Sequence, residues 1–435
     1  RFRFAISTDP MPKLKLGESL PDVAALPTAK RTPQQKKRLR RLFLSTDAPP
    51  KIKEPYVHLQ KLQAEIKRLQ TQSISTMVMQ DMPNPRKTHL LFRGKYDKKR
   101  EEVTAGTPAF LPSMPNEAPM NRLGLARWLV SKKHPLTARV AVNREWQRLF
   151  GIGIVKTTEE FGAQGDWPSH PKLLDWLAVH FMNSGWDTKT LLKFIVTSAT
   201  YRQSSSATPE LLVRDQANLL LARGPRHRLD AEIVRDNALA VSGLLVEKIG
   251  GPSVFPYHPK GLWQELNNRP NYSRTYKQDK GEKLYRRSLY TYWKRTVPPP
   301  SMATFDAPER EFCLVRRSRT NTPLQAFVML HDPQFVEAAR HLAERMMSAS
   351  DNPDGCIEHG FRLATSRLPN NKEKVVLHRL FRERLLFYRK DKKAAKAVLS
   401  VGESIRKVNL SEPEQAAWTT VARALLNLSE TISKN

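Results

Sequence analysis

The chain has 435 residues, 40% of them hydrophobic, with 73 Lys and Arg against 42 Asp and Glu, a formal net charge of +31. That length sets an expectation of two or three domains with a sizeable core. No run of about eighteen apolar residues occurs, so no transmembrane helix is expected, and two cysteines are too few for a disulfide scaffold.

Residues 1–8 open with RFRFAIS, which puts Phe2, Phe4 and Ile6 on one face, as in a half-buried strand. A chain that starts inside a strand reads as a piece of a longer protein, so the missing signal peptide says nothing about compartment. Residues 9–87 read as a basic, proline-rich linker. The first hundred positions carry 23 basic and 8 acidic side chains. Thr32-Pro33 caps a short basic helix, Gln34 to Leu44. Pro49, Pro50 and Pro55 are expected to break the chain before an amphipathic helix from Tyr56 to Gln72. Its stripe of Leu59, Leu62, Ile66 and Leu69 is too short for a coiled coil and reads as a docking face. Thr88 to Tyr96 is the best strand candidate of this half, followed by a polar connector to Pro119.

From Met120 helix follows helix: Arg122 to Ser131, Pro135 to Phe150 with Gly151 as C-cap, Pro171 onward with Leu173, Leu174, Trp176, Leu177 and Phe181 inward, and Thr188 to Tyr201 capped by Asp187. Asp215 to Ala222 and Asp230 to Lys248 are two more, the second stopped by Gly250-Gly251-Pro252. Tyr285 to Lys294 has the aromatic and β-branched content of a strand. Thr322-Pro323-Leu324-Gln325 and Asp332-Pro333 then start two capped helices ten residues apart. Ile357 to Thr365, Lys372 to Phe387 and Pro413 to Ile432 complete the pattern. The fold expected is mainly α, a multi-helix body with a few short strands whose core begins near residue 120. Loops near Gly162 to Trp167 and Asn267 to Gly281 are long enough to carry function.

Chemistry is less explicit. There is no CxxC, no CxxCH, no HExxH, no GxSxG elbow and no phosphate loop. No metal site is expected, and the spacing of Cys313 and Cys356 leaves their pairing open. Arg316, Arg317, Arg319 and Asn321 crowd ahead of the Thr322 cap. Three guanidinium groups beside free helix N–H groups would suit an anion. The plainer reading pairs them with Asp306, Glu309 or Glu311 to pin a loop. Arg139 and Asn143 share a helix face at i, i+4 and either tie down a neighbouring loop or reach a ligand. His170 stands at a helix entry. Glu232 and Arg235 are i, i+3 partners.

Several blocks go beyond composition: THLLFRG from Thr88, LARWLVSKKHPLTARVAVNREWQRLFGIGIV from Leu125, SHPKLLDWLAVHF from Ser169 and SATYRQSS from Ser198. RHRLDAEIVRDNALAVSGLL from Arg226, GGPSV from Gly250 and FDAPEREFCLVRRSRTNTPLQAFVMLHDP from Phe305 continue the series. Their order and content resemble a planctomycete C-terminal domain of unknown function found in large exported proteins with a cytochrome c module. The resemblance covers residues 88–435. It implies a periplasmic or otherwise exported protein and a haem c held on a module absent from this chain. His331 and Glu145 stand where the family usually has asparagine and an apolar residue, so neither is a functional candidate.

Together these observations imply an accessory domain that docks the cytochrome c module, an acidic protein or a polyanionic glycan. The alternative is an enzyme whose pocket gathers Arg139, Asn143, His170, Arg316, Arg317, Arg319 and Asn321. Charge-driven nucleic-acid binding ranks last, because aromatics do not interleave with the basic runs.

Overall fold

The computed structural model describes residues 20–72, 76–84, 86–266, 274–406 and 410–434. The strand expected over residues 1–8 lies outside them, as does much of the loop from Asn267. The chain is mainly helical, with two small two-stranded sheets, and divides into two compact units, Arg1–Thr104 and Ala105–Asn435.

In the first unit a short helix α1 (Leu20–Ala25) precedes α2 (Pro33–Thr46) and α3 (Pro50–Gln72). The Thr32 hydroxyl accepts from Gln35 N–H at 3.2 Å while Thr32 N–H donates to the Gln35 side chain at 2.7 Å, a reciprocal cap. α3 starts a turn and a half earlier than its prolines suggest. Pro50 falls in the first turn, where no N–H is needed, and Ile52 and Lys53 N–H both donate to Pro49 O. Leu59, Leu62, Ile66 and Leu69 are all exposed. The expected strand at Thr88 stops early. β1 (Thr88–Leu91) pairs antiparallel with β2 (Lys99–Val103), within the stretch read as connector. Arg93 at φ 51° and Gly94 at φ 74° turn the backbone between them.

The second unit holds two main cores. The smaller joins α5 (Thr137–Phe150), α6 (Pro171–Asn183) and α7 (Thr188–Thr197), which follow a short α4 (Arg122–Leu129). Val142, Trp146, Leu177, Leu191 and Ile195 fill it at helical spacing, each contributing roughly 1.5–3 kcal/mol by burial. Trp176 is half exposed rather than inward. α8 (Pro209–Arg214) precedes the helix expected at Asp215. There the Asp215 carboxylate accepts from the N–H groups of Leu219 and Leu220, both at 2.8 Å, a turn that competes with helix.

β3 (His227–Arg228) leads into α9 (Ala231–Ser242), which ends at Gly243 in the left-handed region, six residues short of expectation. α10 (Leu262–Glu265) and α11 (Pro300–Thr304) are single turns. The stretch from Tyr285 is not a strand: it forms 3-10 turns with isolated bridges. Its carbonyls are taken by the buried Arg235 guanidinium, which donates to Leu284 O and Arg286 O at 2.7 Å and to the Gln334 side chain at 2.6 Å. Arg235 therefore points inward and is not the partner of Glu232.

The larger core surrounds α13 (Pro333–Ala349), entered from α12 (Pro323–His331). α14 (Pro353–Thr365), α15 (Asn371–Lys390), α16 (Lys392–Leu399) and α17 (Glu412–Leu426) complete it, and α18 (Ser429–Ile432) and β4 (Ser433–Lys434) close the chain against β3. Ala338, Ala339 and Ala343 of α13 and Ala416, Ala417 and Ala422 of α17 are fully buried. These small side chains let the packed helices approach closely. Trp418 of α17 stacks on Phe381 of α15 at 4.0 Å.

Candidate anion-binding cleft

The segment between α11 and α12 leaves the body and returns at one point. Asp306, at φ 61°, accepts from Thr320 N–H at 2.8 Å and from the Thr320 hydroxyl, and pairs with Arg228. Arg228 also donates to Thr320 O at 2.9 Å and Phe305 O at 3.2 Å. Both ends of the loop are thus tied to one carboxylate and one guanidinium. The residues between them form a wall facing the end of α5 and the start of α9.

The wall encloses an open cleft of about 1060 Å3. Arg148, Arg310, Arg316, Arg317 and Arg319 line it, against Asp230 and Glu311. Arg316 reaches Glu159 at 3.2 Å and stays half exposed. Arg317 meets Glu232 at 2.6 Å and Asp230 at 3.8 Å. Arg319 donates to Gly151 O at 3.2 Å and lies 3.9 Å from Asp230. The expected partners Asp306, Glu309 and Glu311 are not the ones used. The acids come from α9, its cap and the loop after α5, far away in sequence. Arg310 lies over the Trp293 ring at 4.4 Å, a cation–π contact.

Burial pulls the Arg319 guanidinium below its ordinary value; Asp230 opposes this, and the Arg228 and Arg317 cations reinforce it. Beside it, burial pushes the His227 imidazole down to about 4, helped by Arg319 and Lys434 and opposed by Asp230 and the Arg148 backbone. His227 is therefore neutral at pH 7, and its Nδ1 is buried without a hydrogen-bond partner. Gly151, at φ 84°, ends α5 between the two. A Cβ there would stand 3.0 Å from His227 Nδ1 and 3.4 Å from Arg319 Nη1. Arg319 and Gly151 also line a second recess of about 770 Å3 that includes Arg223, Arg226 and His227.

The candidate residues fall in separate places. Arg316, Arg317 and Arg319 meet in the cleft. Asn321 is exposed just beyond its wall, which ends at Thr320, so the amide end of α12 takes no part. Asn143 is fully buried and bonded to Val155. Arg139 pairs with Asp175 at 2.6 Å beside another hollow. His170 precedes α6 with its Nδ1 3.0 Å from the Ser169 hydroxyl. Glu145 is partly buried and lies 3.4 Å from Arg148. Arg310 and His227 were not among the site candidates that the sequence suggested. The signal available for them was only an arginine within the same block and a histidine in an arginine-rich loop.

What the cleft can do is bind. Guanidinium groups present paired donors that match carboxylate, sulfate or phosphate oxygens. The Arg316–Glu159 pair, half exposed on both sides, is worth roughly 0–1 kcal/mol, so an incoming anion displaces that carboxylate at small cost, whereas Glu232 and Asp230 hold Arg317 and Arg319 in partly buried pairs. Covalent haem attachment uses a CxxCH pattern, which the sequence does not contain; of its two cysteines Cys313 is exposed and Cys356 buried. Among the described residues no group of His, Cys, Asp and Glu is arranged to hold a metal ion, and no helix is long and apolar enough to cross a membrane.

No curated protein and no solved structure matches the chain. The family model described as PSD1, protein of unknown function (DUF1553), matches residues 121–381. That is more than half of the chain, which therefore belongs to the PSD1 family, a domain of unknown function found in planctomycete cytochrome-c-associated proteins.

Proposed function

We propose that this is a docking domain for a polyanionic partner, an acidic protein surface or a sulfated or carboxylated glycan, within an exported protein that carries its haem c on another module. The observation that carries the reading is the meeting of five arginines and two carboxylates in one cleft. The chain's net charge of +31 supports it by steering anions toward the surface from a distance. An enzymatic reading has less support, since Arg139, Asn143 and His170 lie away from the cleft and are engaged elsewhere.

The test compares a sulfated glycan, its desulfated form, an acidic protein and duplex DNA as ligands across a salt series. Glycan or acidic-protein binding should persist at physiological salt and weaken about tenfold or more when Arg316, Arg317 and Arg319 become alanine, since each lost charge-assisted contact is worth roughly 1.5–3 kcal/mol. Equal, equally salt-sensitive binding to DNA and glycan would reduce the effect to bulk charge and overturn the reading. The redox setting is checked separately: the polypeptide isolated from its natural source should show haem absorbance.

A further inference from the structure

The Arg139–Asp175 pair stands at the rim of a hollow of about 490 Å3 that the arginine cleft does not include. Leu136, Val155, Phe161 and Leu174 supply apolar walls, with Val155 and Leu174 buried. At the rim stand the exposed carboxylates of Asp166 and Asp175, the Arg139 guanidinium and the indole of Trp167. Hollows of this size, mostly apolar with a few convergent polar groups, are the usual form of a small-ligand site.

Trp167 is 92% exposed, although tryptophan is on average among the more buried residues. Nor is it at the tip of a loose loop. Thr157 Oγ accepts from Asp166 N–H at 2.8 Å and donates to Glu160 O at 3.0 Å. Gly165 N–H donates to Gly162 O at 3.1 Å, and Ser169 N–H donates to Ile154 O at 2.8 Å. A Cβ at Gly165 would run into Glu160 O, so the turn is closely packed. The loop spends its own hydrogen bonds on holding a bare aromatic face beside an apolar hollow.

We propose that this hollow is a saccharide subsite that takes a neutral sugar ring. Such a ring has a face of C–H groups and a rim of hydroxyls that both donate and accept. The indole and the apolar walls match the face. Asp166 and Asp175 accept from hydroxyls, and Arg139 donates to them. An anion fits poorly, because two carboxylates face one guanidinium that Asp175 already neutralises at 2.6 Å. The site is separate from the arginine cleft: Arg139 and Gly151 are twelve residues apart on α5, about 18 Å by helical rise.

The experiment is calorimetric titration of the full chain with neutral hexasaccharides of glucose, galactose, mannose and xylose, with spermidine as a cationic control. At least one hexasaccharide should bind at millimolar concentration or below. Trp167→Ala should weaken it at least tenfold, Trp167→Phe should retain most of the affinity, and Asp166→Asn should weaken it severalfold. Because Trp167 is so exposed, the alanine variant should melt like the parent, which separates lost binding from lost folding. The proposal is overturned if no hexasaccharide binds at millimolar concentration, if Trp167→Ala binds as the parent does, or if only spermidine binds. Variants of Arg317 and Arg319, whose partners are Glu232, Asp230 and Gly151, should leave the titration unchanged.

Discussion

Asn143 holds Val155 by both of its peptide groups: the Asn143 amide donates to Val155 O at 3.0 Å and accepts from Val155 N–H at 2.8 Å. The side chain is wholly buried, and Val155 forms part of the apolar wall of the hollow beside Trp167. Asn143→Ala leaves a buried N–H and a buried C=O without partners. At about 1–3 kcal/mol for each such group, the expected loss is about 3 kcal/mol in urea denaturation. Asn143→Asp keeps the acceptor, loses the donor and buries a charge, so it should be no better. A variant as stable as the parent would show that the loop after α5 is held by something else.

A second buried tie sits at the other core. Glu337 accepts from Tyr285 OH at 2.9 Å, from Ser404 N–H at 2.7 Å and from the Ser404 hydroxyl at 2.6 Å. Gly402 lies against this carboxylate at φ 93°, and a Cβ there would fall inside the carboxyl group. Gly402→Ala therefore adds backbone strain of roughly 1 kcal/mol to the disruption of buried charge-assisted bonds worth roughly 1.5–3 kcal/mol each. The expected cost is about 3 kcal/mol or more. Ser404→Ala removes the hydroxyl's bonds to Glu337, Arg340 and His341 but keeps the N–H bond to Glu337, and should cost about 2–3 kcal/mol. If the glycine variant proves the milder of the two in a denaturation series, the carboxylate has room to move.

How far the sequence could be read follows the range of the interactions. Helix starts at Thr32, Asp187, Thr322 and Asp332 were legible because a cap is made by residues two or three positions apart. The stretch from Tyr285 was not. Its aromatic and β-branched content suits a strand, but Arg235, about fifty positions earlier, takes the carbonyls a ladder would need. Asp215 misled for a local reason, since an aspartate that begins a helix also begins a turn. At the cleft, the cluster of Arg316, Arg317 and Arg319 was visible because it spans four positions. Its acidic partners Glu159, Asp230 and Glu232 were not, because only the packing of α5, α9 and the intervening loop brings them near. The loop from Gly162 to Trp167 stood out by its length, but the exposure of its indole did not, because nothing in local spacing distinguishes an exposed tryptophan from a core one.

His227 makes part of the stability depend on pH. Its folded value near 4 lies below the ordinary 6.5, so below pH 6.5 the unfolded chain takes up the proton more readily. Its contribution is fully present above pH 6.5 and is lost as pH falls toward 4, with no further loss below. The groups that face it are Arg319, Asp230, Lys434 and the Arg148 backbone. His227→Gln removes this titration. The stability difference between the parent and His227→Gln should move against the parent from pH 6.5 to 4 and then level off, while the carboxylates common to both cancel. Parallel pH profiles would remove the imidazole from this account.

The two thiols should differ sharply in reactivity, and one of them reports on the cleft. Cys313 is exposed and lines the arginine wall. Cys356 is buried in the first turn of α14 with its Sγ donating to Ser350 O at 3.0 Å. Burial pushes its thiol up to about 11, reinforced by the Glu414 and Asp351 carboxylates. Thiolate is the reactive form, so Cys356 is protected twice, by lack of access and by lack of ionisation. Ellman's reagent at pH 8 should label one thiol per chain quickly, the second should appear only with unfolding, and Cys313→Ser should remove the fast phase. A sulfated glycan seated in the cleft should slow that phase in proportion to occupancy, while its desulfated form should not. If both forms leave the rate unchanged at concentrations that saturate binding, the polyanion sits elsewhere on the surface.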